Sequence, residues 1–119
     1  MEGIGGVFFR ARDPERLRDW YAEHLGLEPA PDFTGTIFRA GDGDVTVWSL
    51  FPADTDYFGV GQQQLMVNYR VVDLDAMLAQ LREAGVELDE RVEEHEYGRF
   101  AWGVDPEGNR FELWQPPTQ

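Results

Sequence analysis

The clearest pattern of apolar and polar positions lies in residues 97–116. Residues 99–104 are rich in aromatic side chains and predict a strand, and residues 105–109 (DPEGN) predict a tight turn in which Gly108 or Asn109 takes a positive φ. Residues 110–114 predict a second strand with period-2 alternation. Its core-facing positions are Phe111 and Leu113, and its other face carries Arg110, Glu112 and Trp114. Because burying an unpaired carboxylate is costly, Glu112 must face water, a partner or a cavity.

The N-terminal half predicts one strand, one helix and three short strands. Residues 3–12 alternate as a strand, Asp13 caps a helix with Pro14 in its first turn, and Gly26 ends that helix. Short strands are predicted near residues 27–29, 34–40 and 45–50, and residues 41–44 (GDGD) are typical of a hairpin. Residues 52–64 have no periodicity and are interpreted as a linker or covering loop.

The second half repeats this order. Residues 65–72 predict a strand, Asp73 caps a second helix, Gly85 ends it, and further strands begin at residue 86. Arg10 and Asp13 recur sixty positions later as Arg70 and Asp73. A repeat of half the chain indicates two related modules.

The charge is strongly acidic. Ten arginines and no lysine stand against 23 acidic residues, for a net charge of −13. Such a surface repels nucleic acid and anionic lipid and attracts cations. It fits either a surface that maintains solubility or a protein with a cationic ligand.

Several classes of protein are disfavoured by simple absences in the sequence. The chain contains no cysteine, so it has no disulfide, thiol nucleophile or zinc–thiolate site. No basic segment followed by an apolar run opens it, and no stretch approaches the roughly 20 apolar residues of a membrane span. A cytoplasmic protein without membrane association is therefore expected.

Three segments together carry a family resemblance: residues 13–26 (DPERLRDWYAEHLG), 71–85 (VVDLDAMLAQLREAG) and 105–116 (DPEGNRFELWQP). The chain resembles the vicinal oxygen chelate superfamily, which includes glyoxalase I, bleomycin-resistance proteins and extradiol dioxygenases. The resemblance implies an α+β fold of two βαβββ modules, with eight strands in a cup-shaped mixed sheet and the helices outside. It implies one domain over residues 1–119, with module 1 at about 1–52, a linker at 53–64 and module 2 at 65–117.

Metal-dependent members of this superfamily place one ligand on each of four inward strand positions. The matching positions here are Gly6, Met66, Glu112 and either Trp48 or Val47, so only Glu112 offers a usual ligand. No metal and no other cofactor is therefore expected. His95, within an acidic run, is either a displaced ligand or part of a solvated strand.

Alternation also predicts which side chains line the cup. The predicted ligand contacts are Phe8, Trp48, Tyr57, Asn68, Arg70, Arg110 and Trp114, around Glu112. An aromatic pocket with one carboxylate suits a planar or cationic organic molecule. The alternative is that these aromatic side chains fill a closed barrel as ordinary core.

Two functions remain open. One is binding of a small organic molecule, for example a cationic aromatic one, in the cup and without metal, as the resemblance to bleomycin-resistance proteins implies. The other is a metal-independent lyase or isomerase in which Glu112 is the general base. Small members of this superfamily commonly pair, so a homodimer is expected, with the cup closed either within one chain or across the dimer.

Overall fold

The protein has an α+β fold with seven strands and two helices in the part of the chain that the computed structural model describes, residues 1–39, 43–59 and 62–117. The elements in chain order are β1 (Gly3–Ala11), α1 (Pro14–Leu25), β2 (Gly35–Arg39), β3 (Val45–Pro52), β4 (Leu65–Arg70), α2 (Leu74–Glu83), β5 (Glu87–His95), β6 (Gly98–Val104) and β7 (Arg110–Gln115). None of the described helices is long and apolar enough to cross a membrane.

The chain divides into two compact units. The N-terminal unit is Gly6–Leu65, and the C-terminal unit combines Met66–Gln119 with Met1–Gly5. The first five residues belong to the C-terminal unit because they run beside β4, where the Glu2 N–H donates to the Arg70 carbonyl at 2.7 Å.

In the N-terminal unit, β3 is the central strand, with β1 on one side and β2 on the other. It pairs in parallel with β1, where Phe8 lies opposite Ser49, and antiparallel with β2. The Asp13 carboxylate accepts the Arg16 backbone N–H at 3.2 Å, and Gly26 ends α1 at a φ of 74°. Both ends of α1 are therefore determined by the local signals in the sequence.

In the C-terminal unit, the strand order is β4-β7-β6-β5. The β4–β7 pair is parallel, with Asn68 opposite Glu112, and the other two pairs are antiparallel. Asp73 caps α2 by accepting the Ala76 backbone N–H at 3.0 Å. Helix α2 covers one sheet face with a fully or nearly buried cluster formed by Val71, Leu74, Leu78, Ala101 and Leu113.

The turn after β6 forms as expected. The Asp105 carboxylate accepts the backbone N–H groups of Glu107 and Asn109, both at 2.9 Å. Gly108, rather than Asn109, takes the positive φ, at 85°. This hairpin fixes the register in which β6 and β7 face each other.

The predicted strand at residues 27–29 does not form, and this prediction was wrong. Pro29 and Pro31 lack backbone N–H donors, so this segment cannot complete a strand ladder. Its contacts are instead those of a loop, since the Thr36 hydroxyl donates to the Glu28 carbonyl at 2.5 Å. The described residues therefore form seven strands rather than eight, and the closed cup stays a prediction. Part of the predicted hairpin at residues 41–44 lies outside the described residues.

Candidate functional site

The candidate site lies on the face of the C-terminal sheet that points away from α2. Alternation along β4 and β7 puts Tyr69, Phe111 and Leu113 under the helix and their neighbours on the opposite side. We call this opposite side the Glu112 face. The residues that define it are Met66, Asn68, Arg70, Phe100, Trp102, Arg110, Glu112 and Trp114.

The centre of the Glu112 face is a buried carboxylate. Glu112 has no solvent exposure. The Asn68 side-chain N–H donates to its Oε1 at 2.6 Å, and the Trp102 indole N–H donates to its Oε2 at 2.8 Å. Each carboxylate oxygen thus accepts a hydrogen bond from a side chain that is itself 1–2% exposed. These bonds offset the cost of removing the carboxylate from water.

Trp102 is the site residue that the sequence analysis missed. The pattern of residues 99–104 predicts only that Trp102 lies on an aromatic-rich strand. The signal was present, because closing the hairpin at Val104 and Arg110 puts Trp102 directly opposite Glu112. Trp102 and Glu112 each lie three positions outside the turn at residues 105–109, so a symmetric hairpin pairs them.

Gly5 permits the close packing of this centre. A Cβ at this position would overlap the Asn68 Oδ1 and lie 2.7 Å from Cε3 of Trp114. Asn68 Oδ1 is buried and has no hydrogen-bond partner among the described residues. A side chain larger than glycine would therefore displace either the amide that holds Glu112 or the Trp114 ring.

A second network borders Trp102. The guanidinium carbons of Arg91 and Arg110 lie 5.7 Å and 5.4 Å from the Trp102 ring centroid, within the range of a cation–π contact. Asp89 pairs with both arginines, at 3.2 Å and 3.3 Å. Hydrogen bonds from Arg91 lower the pKa of Asp89 from 3.8 to about 2, with a further contribution from Arg110. Arg91 and Arg110, which both pair with Asp89, therefore restrict the position of the Trp102 ring.

The other predicted ligand contacts in the C-terminal unit also lie on the Glu112 face. Of these, Trp114 and Arg70 are buried by the side chains around them. Trp114 is 9% exposed, donates its indole N–H to the Tyr97 carbonyl at 2.8 Å, and stacks nearly parallel on Phe100. Arg70 is 8% exposed, and its Nη1 reaches the Ile4 carbonyl at 3.5 Å. The structure therefore brings together Asn68, Arg70, Arg110, Glu112 and Trp114.

Phe8 and Tyr57 form a separate aromatic cluster in the N-terminal unit. Phe51 lies between them, with centroid distances of 5.4 Å to Phe8 and 5.2 Å to Tyr57. Phe58 is completely buried, under the guanidinium of Arg10. Tyr57 and Phe58 thus pack with the aromatic side chains around Phe8 and Phe51, and the covering loop stays a prediction.

Trp48 does not share a face with Phe8. It packs against Tyr21 of α1 at 4.8 Å and against Phe9 at 5.8 Å, so it lies on the helix-covered side of β3. The register explains the difference. Phe8, the sixty-residue counterpart of Asn68, lies opposite Ser49, just as Asn68 lies opposite Glu112. Ser49, and neither Trp48 nor Val47, is therefore the first-module equivalent of Glu112.

The residues present do not fit the divalent metal that the fold family implies. In the C-terminal unit, Met66 offers only a thioether, so Glu112 is the single oxygen donor at the two implied ligand positions. In the N-terminal unit, Gly6 has no side chain and Ser49 has only a neutral hydroxyl. Across residues 1–39, 43–59 and 62–117, no three His, Cys, Asp or Glu side chains are grouped so that they could hold a metal ion.

His95 is engaged by its neighbours on the surface. Its ring stacks on Tyr97 with 5.0 Å between centroids, and its Nε2 lies 3.1 Å from Oε1 of Glu93. These contacts fit the interpretation of His95 as part of a solvated acidic strand.

The geometry agrees with a comparison against known families. The profile of a glyoxalase-like domain matches residues 6–114. The chain belongs to the glyoxalase-like domain family. It is thereby a member of the vicinal oxygen chelate superfamily, as the sequence motifs indicated. No curated protein matches the sequence.

Solved structures share the fold of this glyoxalase-like chain at low sequence identity. A methylmalonyl-CoA epimerase from Streptomyces coelicolor, in complex with 2-nitronate-propionyl-CoA, is 15% identical with a TM-score of 0.73, covering 99% of both chains. The epimerase from Mycobacterium tuberculosis is 21% identical with a TM-score of 0.68, covering 98% of this chain and 89% of its own. A structure described as an NAD-dependent benzaldehyde dehydrogenase from Legionella pneumophila is 16% identical with a TM-score of 0.64, covering 94% of this chain and 98% of its own.

Proposed function

We propose that this glyoxalase-like protein binds a small, cationic aromatic molecule on the Glu112 face and does so without a divalent metal. The observation that carries the proposal is the Glu112 carboxylate, buried among aromatic rings and oriented by Asn68 and Trp102. A net charge of −13 favours the approach of cations. Trp114 supplies a ring surface on the same face.

The carboxylate contributes charge, and the rings contribute contact area. A desolvated cation close to a carboxylate gains far more than it does in water, because the local dielectric constant is lower. Indole and phenyl faces attract cations through their quadrupoles. The roles of Phe8, Tyr57 and Trp48 as further ligand contacts stay predictions.

Glu112→Gln tests this proposal well because the site can accommodate the amide. The oxygen of the new side-chain amide can accept the Trp102 N–H, and a flip of the Asn68 amide then presents Oδ1 to the new NH₂ group. The fold and hydrogen bonds are retained while the charge is removed. Glu107→Gln, in the exposed turn, is the matched control.

The experiment measures binding of benzyltrimethylammonium and of neutral benzyl alcohol by calorimetry, with a melting curve on each sample. Glu112→Gln is expected to weaken binding of the cation by about 1–3 kcal/mol and to leave the neutral compound nearly unaffected. Glu107→Gln should change neither. Equal affinity of the cation for wild type and Glu112→Gln contradicts the proposal.

A second function is favoured by the structural neighbours. Methylmalonyl-CoA epimerases share this fold, and inversion of a carbon centre that bears a hydrogen can proceed through removal of its proton by a general base. Under this alternative, Glu112 is the general base, and Glu112→Gln lowers turnover by about 100-fold or more while ligand affinity survives. Incorporation of solvent deuterium into methylmalonyl-CoA, followed by NMR, measures that activity directly.

We also propose that the protein forms a homodimer through β2. This strand ends the N-terminal strand order β2-β3-β1 and carries the exposed apolar side chains Ile37 and Phe38. Strand β5, at the end of the C-terminal order, is instead mostly charged. An apolar edge strand favours pairing with another chain, whereas a charged one discourages it.

A further inference from the structure

An open groove in the N-terminal unit has a charge opposite to that of the whole chain. Its volume is about 1000 Å³, and it lies between the end of β1, the first two turns of α1 and residues 53, 62 and 64. The charged and aromatic residues that line it are Arg10, Arg12, Asp13, Arg16, Trp20 and Tyr21. Three of the ten arginines of the chain thus line one groove, with one acidic residue among them.

Two of these arginines have their charged groups available. Arg12 and Arg16 are exposed, and neither side chain makes a hydrogen bond or ion pair within the described residues. Elsewhere arginines are commonly paired with carboxylates, as in the pairs Arg18–Asp19, Arg91–Asp89, Arg99–Asp75 and Arg110–Asp89. In a chain with 23 acidic residues, the groove thus carries two exposed guanidinium groups that pair with no carboxylate among the described residues.

The third arginine, Arg10, is held in place by hydrogen bonds and contributes a positive charge to the lining of the groove. Arg10 donates to the carbonyls of Gln63 at 2.7 Å, Ala53 at 3.0 Å and Thr55 at 2.8 Å. These acceptors are neutral, so they orient the guanidinium without cancelling its formal charge. The one acid, Asp13, is occupied as the cap of α1.

An aromatic surface lies beside the charges. Trp20 is 51% exposed, although indole is a large apolar group, and its ring contacts Tyr21 and His24 at 5.2 Å and 4.8 Å. These contacts restrict the ring while leaving about half of it uncovered. Planar ligands stack on such a surface.

We propose that this groove binds an organic anion, with its carboxylate or phosphate group on Arg12 and Arg16 and its planar ring against Trp20. Guanidinium groups match both oxyanions through pairs of parallel N–H···O bonds. The acidity of the rest of the chain does not prevent this, because screening at physiological salt limits its field to roughly 8–10 Å.

The test uses phenyl phosphate and benzoate as probes, titrated into the full chain by calorimetry. Saturable binding of either probe supports the proposal, and the tighter one identifies the anionic group. Inorganic phosphate has the anionic group without the ring, and benzyl alcohol has the ring without the anionic group. Each is expected to bind at least about tenfold more weakly than the tighter of the two probes. The double variant Arg12→Gln/Arg16→Gln should raise the dissociation constant about tenfold or more.

Trp20→Leu should reduce the preference for phenyl phosphate over inorganic phosphate. Arg18→Gln is the matched control, because Arg18 lies on the same helix outside the groove and pairs with Asp19. It should bind both probes as wild type does, and so should Glu112→Gln, which separates this proposal from the one for the Glu112 face. No binding of either probe up to about 10 mM, or undiminished affinity in the double variant, overturns the proposal.

Discussion

Trp102 lies directly opposite Glu112 in the β6–β7 pair, and its indole N–H donates to Oε2 of that carboxylate at 2.8 Å. Both side chains are at most 1% exposed. Because a buried carboxylate without donors is very unfavourable, this bond and the one from Asn68 determine whether Glu112 can occupy the sheet face at all.

Trp102→Phe is therefore expected to destabilise the protein. Phenylalanine fills most of the indole volume but offers no N–H, so one donor to Glu112 is lost. We expect the free energy of unfolding to fall by about 2–4 kcal/mol, measured by urea titration at pH 7. Trp20→Phe, at an exposed position, is the control and should cost less than about 0.5 kcal/mol. Equal effects of the two substitutions would contradict this account of Glu112.

Asp89 should give the protein a pH-dependent contribution to stability. Its pKa is lowered from 3.8 to about 2 by Arg91 and then Arg110, so the ionised carboxylate is favoured by folding. The contribution is complete above the ordinary pKa and is lost as the pH falls from about 4 to 2. Because Arg91 is 64% exposed, solvent screening limits it to about 1 kcal/mol.

The corresponding variant is Asp89→Asn. It should be less stable than wild type at pH 7, and the difference should shrink between pH 4 and pH 3 in urea titrations. Asp75→Asn, which removes a pair with a 75% exposed carboxylate, is the control and should have a smaller effect at every pH. A difference that stays constant with pH would rule out the ion pair as its cause.

Arg10 should hold the segment after β3 in place. Its three hydrogen bonds reach the carbonyls of Ala53, Thr55 and Gln63, and its cation covers Phe58. Lysine keeps the charge but cannot supply this planar set of donors, so Arg10→Lys is expected to lose about 1–3 kcal/mol of stability. Proteolysis between residues 52 and 65 should become faster. Arg18→Lys is the matched control, and an unchanged cleavage rate in Arg10→Lys would refute the role.

The protein is expected to hold no stoichiometric divalent metal. The motivation is the donor set itself, because Gly6, Ser49 and Met66 occupy three of the four ligand positions that the family resemblance implies. Elemental analysis after dialysis against zinc, nickel or manganese checks this. One ion held per chain would contradict the prediction and would direct attention to His95.

The dimer is expected to depend on β2. Light scattering at micromolar concentration should give twice the chain mass for wild type. Phe38→Glu should give the monomer mass, because it places a charge on the apolar edge. Val92→Glu, at a similar exposure on β5, should remain dimeric. A monomeric wild type, or dissociation of the Val92→Glu variant alone, would exclude an interface at β2.

Much of the fold could be predicted because its signals are local. The caps Asp13 and Asp73 and the turn at residues 105–109 act through hydrogen bonds to neighbours within four residues. The alternation that puts Phe111 and Leu113 under α2 follows from strand geometry alone. The sequence motifs alone also indicate the superfamily to which the chain belongs.

What only the tertiary structure decided is which side chains meet across strands. Alternation assigns a residue to a face but does not say what lies opposite it, because a slip of one position moves every side chain to the other face. Long-range backbone pairing set Ser49, rather than Trp48, at the counterpart of Glu112, and put Trp102 beside its carboxylate. The residues that bond to Glu112 lie 10 and 44 positions away in the chain, so only the folded sheet brings them together.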